Sequence, residues 1–297
     1  MNGTRGRSTW RANAALALAG CLWGTGFLFG KIAFREMSVS ENVSYRFFFG
    51  CTPLLPIALS RRSLIREASR RDGWLSLAAI VIGFPIQFLC QFKGLQLTTV
   101  SHASLIVGTL PVMIALASVV FLHERLRAVE WLFLLLSALG ALLIALSAGN
   151  AGPTAGPTLA GDFLVLLSMV ASTGFILLSK RLLERYDSLG ITAWMILIGT
   201  LLIFLCVEPV DAIRFHFSRE VWGASAGQGL LATAGAYLVW NWGLAQIPAS
   251  RAGIFLNLEP LLGACLGVVV LHETLGIAAM LGGALILVPA VYFSRKS

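Results

Sequence analysis

The sequence predicts an all-α integral membrane protein, with ten transmembrane helices arranged as two inverted five-helix repeats. Three observations support this fold class. The first is composition, because 57% of the 297 residues are hydrophobic and only 12% are charged, whereas a soluble domain carries about 25% charged residues. The second is a series of ten apolar stretches, each close to the roughly 20 residues that a spanning helix needs. The third is internal repetition at a fixed offset.

The composition also limits the classes of partner. A chain this apolar cannot cover a water-facing surface, so we expect lipid to surround most of it. The net charge of +8 does not indicate nucleic-acid binding, because the basic residues form short clusters between apolar stretches. The five cysteines all fall inside apolar stretches and are too dispersed for a metal site. We therefore expect membrane lipid as a partner, and no nucleic acid, metal or cofactor.

The first apolar run, residues 14–34, follows three arginines and superficially resembles a signal peptide. It is too long for a signal-peptide core of about 7–15 residues, so we interpret it as a retained helix. The second run contains Pro53 and Pro56, which should kink it. The predicted spans are 13–34, 42–60, 73–95, 98–122, 128–148, 160–180, 189–207, 221–246, 248–271 and 275–294.

Lysine and arginine predict the orientation of these spans, because cytoplasmic loops are enriched in both residues. With the N-terminus in the cytoplasm, only Arg35, Arg214 and Arg219 fall outside. Sixteen fall inside: Arg5, Arg7, Arg11, Arg61, Arg62, Arg66, Arg70, Arg71, Arg125, Arg127, Lys180, Arg181, Arg185, Arg251, Arg295 and Lys296. This bias predicts a multi-pass protein of the inner membrane, with an even number of spans and both termini in the cytoplasm.

The repeat appears when the sequence is shifted by 149 residues, which aligns Gly94–Leu126 with Gly243–Leu275 without a gap. The matched pairs include Gly94/Gly243, Ser101/Ser250, Ala103/Ala252, Pro111/Pro260, His123/His272 and Glu124/Glu273. Since five helices per repeat is an odd number, the second copy must enter the membrane from the opposite side. The predicted organisation is a cytoplasmic segment at 1–12, a first repeat at 13–150, an outer Gly/Pro-rich linker at 151–159, a second repeat at 160–294 and a cytoplasmic end at 295–297.

Inverted repeats are typical of secondary transporters, and polar groups at bilayer depth are candidates for their function. A rise of about 1.5 Å per residue puts Glu259 roughly 16 Å deep, close to the midplane. Pro260 follows it and breaks the helix, as Pro111 does in the other repeat. We predict that Glu259 faces inward and could couple transport to protons. The alternative is that Glu259 pairs with a neighbouring helix and only fixes packing.

Further polar and aromatic residues could line a central pocket between the repeats. Gln87 and Gln91 lie four residues apart and therefore on one helical face, as do Tyr237 and Asn241. The complete predicted substrate-binding set is Trp23, Gln87, Gln91, Ser172, Thr173, Tyr237, Trp240, Asn241 and Asn257. Aromatic walls with a few amides suit an uncharged or zwitterionic solute with an apolar side chain. For each residue alone, ordinary helix packing or an interfacial aromatic belt is the alternative.

Other polar residues are interpreted as structural. We expect Lys31, Arg46, Lys93 and Arg251 to extend along apolar surface towards the membrane boundary. The pairs His123–Glu124 and His272–Glu273 lack the second histidine of a zinc protease motif, so we interpret them as polar groups at helix ends. Small-residue ridges that allow close helix contact are formed by Gly20/Gly24, Gly26/Gly30 and Gly263/Gly267.

Several of these motifs together resemble the EamA-type drug/metabolite transporter superfamily. They are Trp23-Gly24-Thr25-Gly26-Phe27 with Lys31, Arg46 in the second span, and Glu259-Pro260 followed by Leu271-His272-Glu273. The resemblance covers about residues 13–294. It implies ten helices with both ends cytoplasmic, alternating access, and export of metabolites. The family usually has glycine where His123 and His272 stand. The inner aromatic and amide positions are similar to those of the YddG-type amino-acid exporters.

Three classes of function remain open from the sequence. The leading one is a carrier, acting as a monomer or weak dimer, that exports neutral or aromatic amino acids. A variant of this class moves another metabolite or a drug, such as a nucleoside, a sugar or a lipophilic compound. A membrane-embedded enzyme is disfavoured, because the spans contain no credible nucleophile–base pair and hence no catalytic residue. A non-transporting scaffold would not require inverted repeats or proline breaks at the midplane.

Overall fold

A computed structural model describes residues 2–98, 100–147, 158–207, 214–271 and 277–295, and this part of the chain is helical without strands. The first repeat comprises α1 (Asn2–Ala33), α2 (Val39–Cys51 and Leu55–Ser60, joined by the 3-10 turn Thr52–Leu54), α3 (Arg62–Leu97), α4 (Val100–Val107 and Leu110–Phe121) and α5 (Ala128–Ser147). The linker at 151–157 and the pair His272–Glu273 lie outside the described residues.

The second repeat has the same succession of helices. It comprises α6 (Leu159–Leu183), α7 (Ser188–Val207), α8 (Arg219–Gly229 and Ala236–Leu244, joined through Leu230–Gly235), α9 (Ala249–Ala252 and Leu258–Leu271, joined through Gly253–Asn257) and α10 (Ile277–Arg295). Polar side chains cap the N-terminal ends of several of these helices. Ser38 forms a capping box with Glu41 at α2, and the hydroxyls of Thr158 and Ser218 cap α6 and α8.

Equivalent helices of the two repeats run in opposite directions where they touch. Phe133 of α5 packs on Tyr292 of α10 with ring centroids 4.3 Å apart, while Gly140 further along α5 meets Gly282 earlier in α10. Helices α5 and α10 are therefore antiparallel.

The pair α2 and α7 behaves in the same way. Arg61, just after α2, forms an ion pair with Asp187, just before α7 (2.7 Å). The Thr200 hydroxyl, further along α7, donates to the Phe47 carbonyl earlier in α2 (3.4 Å). Two pairs of equivalent helices thus run in opposite directions, and the repeats are inverted as the sequence predicts.

Equivalent helices of the two repeats also pack against equivalent partners from the opposite repeat. Helix α1 packs against α8 and α9, and its counterpart α6 packs against α3 and α4. Apolar side chains such as Val120, Leu132 and Leu201 are more than half exposed around the outside, at 62%, 53% and 58%. An apolar exterior of this kind is suited to contact with lipid chains.

Five described stretches are long and apolar enough to cross a membrane by length and composition. They are Trp10–Ala33, Arg62–Leu97, Leu159–Leu183, Ser188–Val207 and Ala249–Val270. Shorter apolar helices are Leu110–Phe121, Ala128–Ile144 and Met280–Phe293. The number of helical stretches in the described residues matches the predicted number of spans, while a count of ten membrane crossings stays a prediction.

The third helix starts earlier than the predicted span of 73–95. It begins at Arg62 and is bent at Asp72, whose φ of −131° and ψ of 32° are not helical. The Asp72 carboxylate accepts hydrogen bonds from the Arg185 guanidinium (2.6 Å) and the Tyr186 hydroxyl (2.7 Å). The basic segment before Asp72 is therefore part of the helix. The bend at Asp72 is stabilised by contacts with residues that follow α6, which the sequence around Asp72 does not predict.

Two ends of the bundle are distinguished by contacts between the helix ends. The terminal face is the end where α1 begins and α10 ends, as shown by the Asn13 amide, which donates to the Phe293 carbonyl (3.4 Å). Helix α8 ends there as well, because Gly243 packs on Ala12 near the start of α1. Lys180 at the end of α6 donates to the carbonyl of Leu244, and Asp187, shortly after Lys180, forms the ion pair with Arg61 at the end of α2. These contacts place the ends of α2, α6 and α8 on the same face. The opposite face contains the Arg35–Glu220 ion pair (2.8 Å). These contacts alternate along the chain, so successive helices run between the two faces.

Candidate functional site

The backbone is irregular at matching positions in both repeats. Helices α3 and α8 each contain a π-helical segment, at Ile82–Ile86 and Leu230–Gly235, and the repeat offset maps the first segment onto the second. Helix α4 is interrupted between Val107 and Leu110, and α9 passes through a 3-10 segment at Gly253–Asn257. Pairs of interrupted helices at corresponding positions are typical of the binding site of inverted-repeat transporters.

The prolines predicted to break helices lie at these interruptions. Pro111 stands in the first turn of the second part of α4, and Pro260 follows the 3-10 segment of α9. Proline lacks a backbone N–H and is tolerated in the first turn of a helix, where that donor has no partner. The interruption therefore sits immediately before each proline and frees backbone carbonyls inside the bundle.

Aromatic rings from four helices meet beside the π-helical segments. Trp23 of α1 lies 5.5 Å from the Tyr237 ring and 5.3 Å from the Trp240 ring, measured between centroids. Phe84 stacks on Tyr237 at 5.8 Å, and Phe175 of α6 approaches Tyr237 at 6.0 Å. These five residues form what we call the aromatic cluster. Trp23, Tyr237 and Trp240 were predicted from sequence to be neighbours in one pocket, and the structure brings them into contact.

Three predicted site residues carry buried polar atoms that have no hydrogen-bond partner among the described residues. They are Gln87 Oε1, Thr173 Oγ1 and Asn241 Oδ1. The other end of the Asn241 amide is satisfied, because Nδ2 donates to the Thr192 hydroxyl (2.9 Å). Buried polar groups are nearly always paired, and an unpaired one needs an explanation such as a ligand or an ordered water. These atoms therefore need a partner that the described side chains do not supply.

The remaining predicted residues have different surroundings. Ser172 is buried on α6 next to Thr173, and Gln91 is half-buried on α3. Asn257 is buried, but its amide donates to the Ser137 hydroxyl of α5 (2.8 Å). That hydrogen bond joins α9 to α5 and uses one donor of the Asn257 amide, while a role of Asn257 in substrate binding stays a prediction.

Glu259 follows the 3-10 segment of α9 and faces the contact with α1. Its carbonyl oxygen lies 2.7 Å from where a Cβ on Gly24 would stand, so α1 and α9 approach closely because position 24 has no side chain. The residue is partly exposed as a whole, and its carboxylate forms no hydrogen bond or ion pair with any residue that the structure describes. The alternative in which Glu259 is fixed by a direct partner therefore finds no support in this part of the chain.

The prediction that Arg46 extends to the membrane boundary is wrong. Arg46 is only 8% exposed. Its Nε donates to the Thr233 hydroxyl (2.8 Å), and an amino group donates to the Ala232 carbonyl (3.0 Å), which lies in the π-helical segment of α8. The guanidinium also lies 5.3 Å from the Phe88 ring. The Arg46 guanidinium can be buried because α8 supplies hydrogen-bond acceptors for it. Since α8 is remote from Arg46 in sequence, this pairing could not be predicted from the residues around Arg46.

A second polar chain lies one helical turn from Arg46. The Asn42 amide donates to Gln228 Oε1 (3.1 Å), and the Gln228 amide donates to the Gly26 carbonyl (3.1 Å). Both side chains are buried. Sequence analysis missed them, although the spacing of four residues between Asn42 and Arg46 places both on one face of α2.

Charged residues connect the loops at the terminal face. Glu124, after α4, accepts hydrogen bonds from the backbone N–H groups of Ala249 (2.8 Å) and Ser250 (2.9 Å) at the start of α9. Lys180, at the end of α6, donates to the carbonyls of Leu244 (2.8 Å) and Ile247 (3.0 Å) after α8. We call these contacts the terminal brace. Glu124 is thus more than a polar helix end, because it binds the α8–α9 connection.

A cavity of about 550 Å³ opens beside the terminal brace. Its lining includes Phe121, His123, Glu124, Lys180 and Gln246. It therefore lies where three connections of the chain meet at the terminal face.

Arg251 lies close to the same connections. It forms an ion pair with buried Glu130 of α5 (3.0 Å), while its own side chain is 39% exposed. The start of α9 is therefore held by charged side chains from both ends of the α4–α5 connection. The extension of Arg251 to the membrane boundary stays a prediction.

The inverted repeats, the interrupted helices and the polar groups inside the bundle define a polytopic helical membrane protein of the transporter class. The model of the EamA-like transporter family matches residues 10–146 and 159–295, one match for each repeat. The chain belongs to this family, and its members are transporters and not enzymes.

Relatives and a solved structure agree with this assignment. An uncharacterized transporter of Archaeoglobus fulgidus is 26% identical over 286 residues, which cover 96% of this chain and 97% of the relative. The uncharacterized transporter YetK of Bacillus subtilis is 24% identical, with 93% and 86% covered. A protein crystal structure aligns with a TM-score of 0.82 at 20% identity and covers 96% of this chain and 98% of its own, which shows the fold.

Proposed function

We propose that this protein is a secondary carrier of the inner membrane that exports neutral and aromatic amino acids by alternating access. The observation that carries the proposal is the aromatic cluster, with unpaired polar atoms on Gln87, Thr173 and Asn241, beside interrupted helices of both repeats. Aromatic walls with a few oriented polar groups suit a small solute with an apolar side chain and a polar backbone.

The first helix of each repeat packs against the third and fourth helices of the other repeat, and this symmetry supports alternating access. Inverted copies can exchange conformations, so that a site between them opens first to one side and then to the other. In this mechanism the terminal brace closes the terminal face, and the adjacent cavity is where the path to the cytoplasm would open. The excess of lysine and arginine on the terminal face supports its assignment to the cytoplasm, with both chain termini there.

Counterflow in proteoliposomes tests this function directly. Vesicles loaded with phenylalanine are expected to accumulate labelled phenylalanine transiently, faster than vesicles loaded with uridine or glucose. Trp23→Ala should lower this flux by about tenfold or more, because it removes an aromatic surface worth roughly 1.5–3 kcal/mol. Trp74→Ala, at a position that is 81% exposed, is the matched control and should leave the flux unchanged.

The outcomes separate the alternatives. Flux of uridine or a drug without flux of any amino acid would contradict the proposed solute and keep the carrier class. Chemical conversion of a solute without flux would select a membrane enzyme.

The role predicted for Glu259 in proton coupling is tested in the same vesicles. If transport is proton-linked through this carboxyl, an imposed pH gradient drives phenylalanine accumulation in the wild type and not in Glu259→Gln. An equal response of both proteins to the gradient would remove Glu259 from the coupling mechanism.

A further inference from the structure

Two charged residues inside the bundle break the symmetry between the repeats. The repeat counterpart of Arg46 is Met195, and the counterpart of Glu259 is Leu110. Groups needed only for the shared fold are expected in both copies, as the paired prolines and paired π-helical segments are. A charged group that only one repeat carries costs free energy inside a membrane without serving the common architecture. We therefore expect the function of Arg46 and Glu259 to involve contact with the solute.

Arg46 has unused hydrogen-bonding capacity. A guanidinium has five N–H donors, and only Nε and one amino group of Arg46 donate to residues that the structure describes, namely Thr233 and Ala232. These bonds fix the plane of the guanidinium, and Phe47 and Phe88 lie 5.8 Å and 5.3 Å from its centre. A fixed, partly desolvated guanidinium is well suited to bind a carboxylate through two parallel N–H groups.

Both charged residues border the aromatic cluster. The Phe47 ring, which lies against the Arg46 guanidinium, is 5.7 Å from the Phe84 ring of the cluster. The Glu259 backbone packs on Gly24, the residue next to Trp23. The two charges nevertheless form no ion pair within 4.0 Å in the described part of the chain. Opposite charges at membrane depth normally pair with each other. Because neither charge is paired with the other, both remain available to a solute that carries both charges.

We propose that Arg46 binds the carboxylate of a zwitterionic solute whose ammonium group faces Glu259 and the unpaired acceptors of Gln87, Thr173 and Asn241. The inference rests on the proposed amino-acid transport and adds the residues that recognise the solute's charged ends. The side chain of the solute then packs on the aromatic cluster. A solute that lacks either charged end leaves one protein charge without a partner, which selects for the zwitterion.

Three solutes with the same ring separate the roles: phenylalanine, phenethylamine without the carboxylate, and 3-phenylpropionate without the ammonium. Each is tested as a competitor of labelled phenylalanine counterflow in proteoliposomes, and as a stabiliser of the purified full-length protein against heat. In Arg46→Gln, we expect phenylalanine flux and apparent affinity to fall about ten- to a hundredfold. Binding of phenethylamine should stay within about twofold, because that molecule makes no contact with Arg46.

Glu259→Gln gives the reciprocal pattern, with weaker phenylalanine binding and unchanged binding of 3-phenylpropionate. Lys93→Gln changes an exposed cation and is the matched control. Arg46→Lys keeps the charge and tests for a fold defect, since it should retain heat stability while losing the two-pronged contact. Equal losses for all three solutes in Arg46→Gln, or no loss for any, would overturn the assignment and leave amino-acid transport standing. A wild-type protein that carries only uncharged nucleosides would overturn both.

Discussion

His123 has a backbone φ of 57°, the only positive value among the described residues other than glycine. It follows α4 and precedes Glu124, whose N–H donates back to the Ser118 carbonyl (3.2 Å). This left-handed conformation ends many helices and favours glycine, which the family usually has at this position. Histidine tolerates the conformation better than a β-branched residue does. The chain therefore tolerates histidine in place of glycine at position 123, at the cost of backbone strain next to the terminal brace.

Substitutions at position 123 should follow backbone preference. We expect His123→Gly to raise the free energy of unfolding by up to about 1 kcal/mol, and His123→Val to lower it by about 1–3 kcal/mol. Thermal unfolding of the purified protein in detergent measures both changes. His216, exposed and without a positive φ, is the control position, where valine should have little effect. Equal stability of the glycine and valine variants at position 123 would contradict this explanation.

At the scale of elements, the ends of α6, α8 and α9 are held together by Lys180 and Glu124. Lysine at the C-terminal end of a helix satisfies carbonyls that have no helical partner. In α8 these are the carbonyls of Leu244 and of Ile247 just after it. The sequence pairs Lys31 with Lys180 at the repeat offset. The Lys180 contact nevertheless depends on Leu244 at the end of α8, which lies 64 residues further along the chain.

Removing the Lys180 cation should loosen this connection. In Lys180→Met we expect faster hydrogen exchange in residues 244–252, because two buried carbonyls lose a charged donor at a cost of about 1–3 kcal/mol. Hydrogen-exchange mass spectrometry of the purified protein measures the change. Lys93→Met, at an exposed position, should leave the segment unaffected. Unchanged exchange in Lys180→Met would mean that Glu124 alone holds the connection.

At the scale of the whole molecule, the two repeats are also joined at the opposite face. The Arg214 guanidinium donates to both carboxylate oxygens of Glu41 (2.8 and 2.9 Å). These hydrogen bonds, with those from Ser38, lower the pKa of Glu41 from 4.5 to about 2. Glu41 lies at the start of α2, before the predicted membrane span, and Arg214 precedes α8. The pair therefore connects the first repeat to the second.

The depressed pKa of Glu41 predicts a direction for acid sensitivity. Its contribution to stability is fully present above the unfolded-state pKa of about 4.5 and is lost as the pH falls towards about 2. We expect the unfolding temperature to fall between about pH 5 and pH 3, and to fall less in Glu41→Gln. Glu67→Gln, which removes an exposed carboxylate paired with Arg71, is the control. An identical pH slope in Glu41→Gln and wild type would contradict this role.

The sequence alone predicts the membrane class, the family, the inverted repeats and the existence of interrupted helices. These features depend on composition, on a fixed offset and on proline, and each of them is visible in the linear order of residues. Trp23, Tyr237 and Trp240 could also be predicted as a group, because helical spacing and repeat equivalence place them at similar depth.

The pairing of polar groups inside the bundle became known only from the packed helices. The position of Arg46 was predicted wrongly because its acceptors, Thr233 and Ala232, belong to the other repeat and lie on the π-helical segment of α8. Asn257 bonds to Ser137 of α5, although its depth matched the predicted pocket. Depth along a helix can be counted from sequence, but the direction in which a side chain points depends on the helices packed around it.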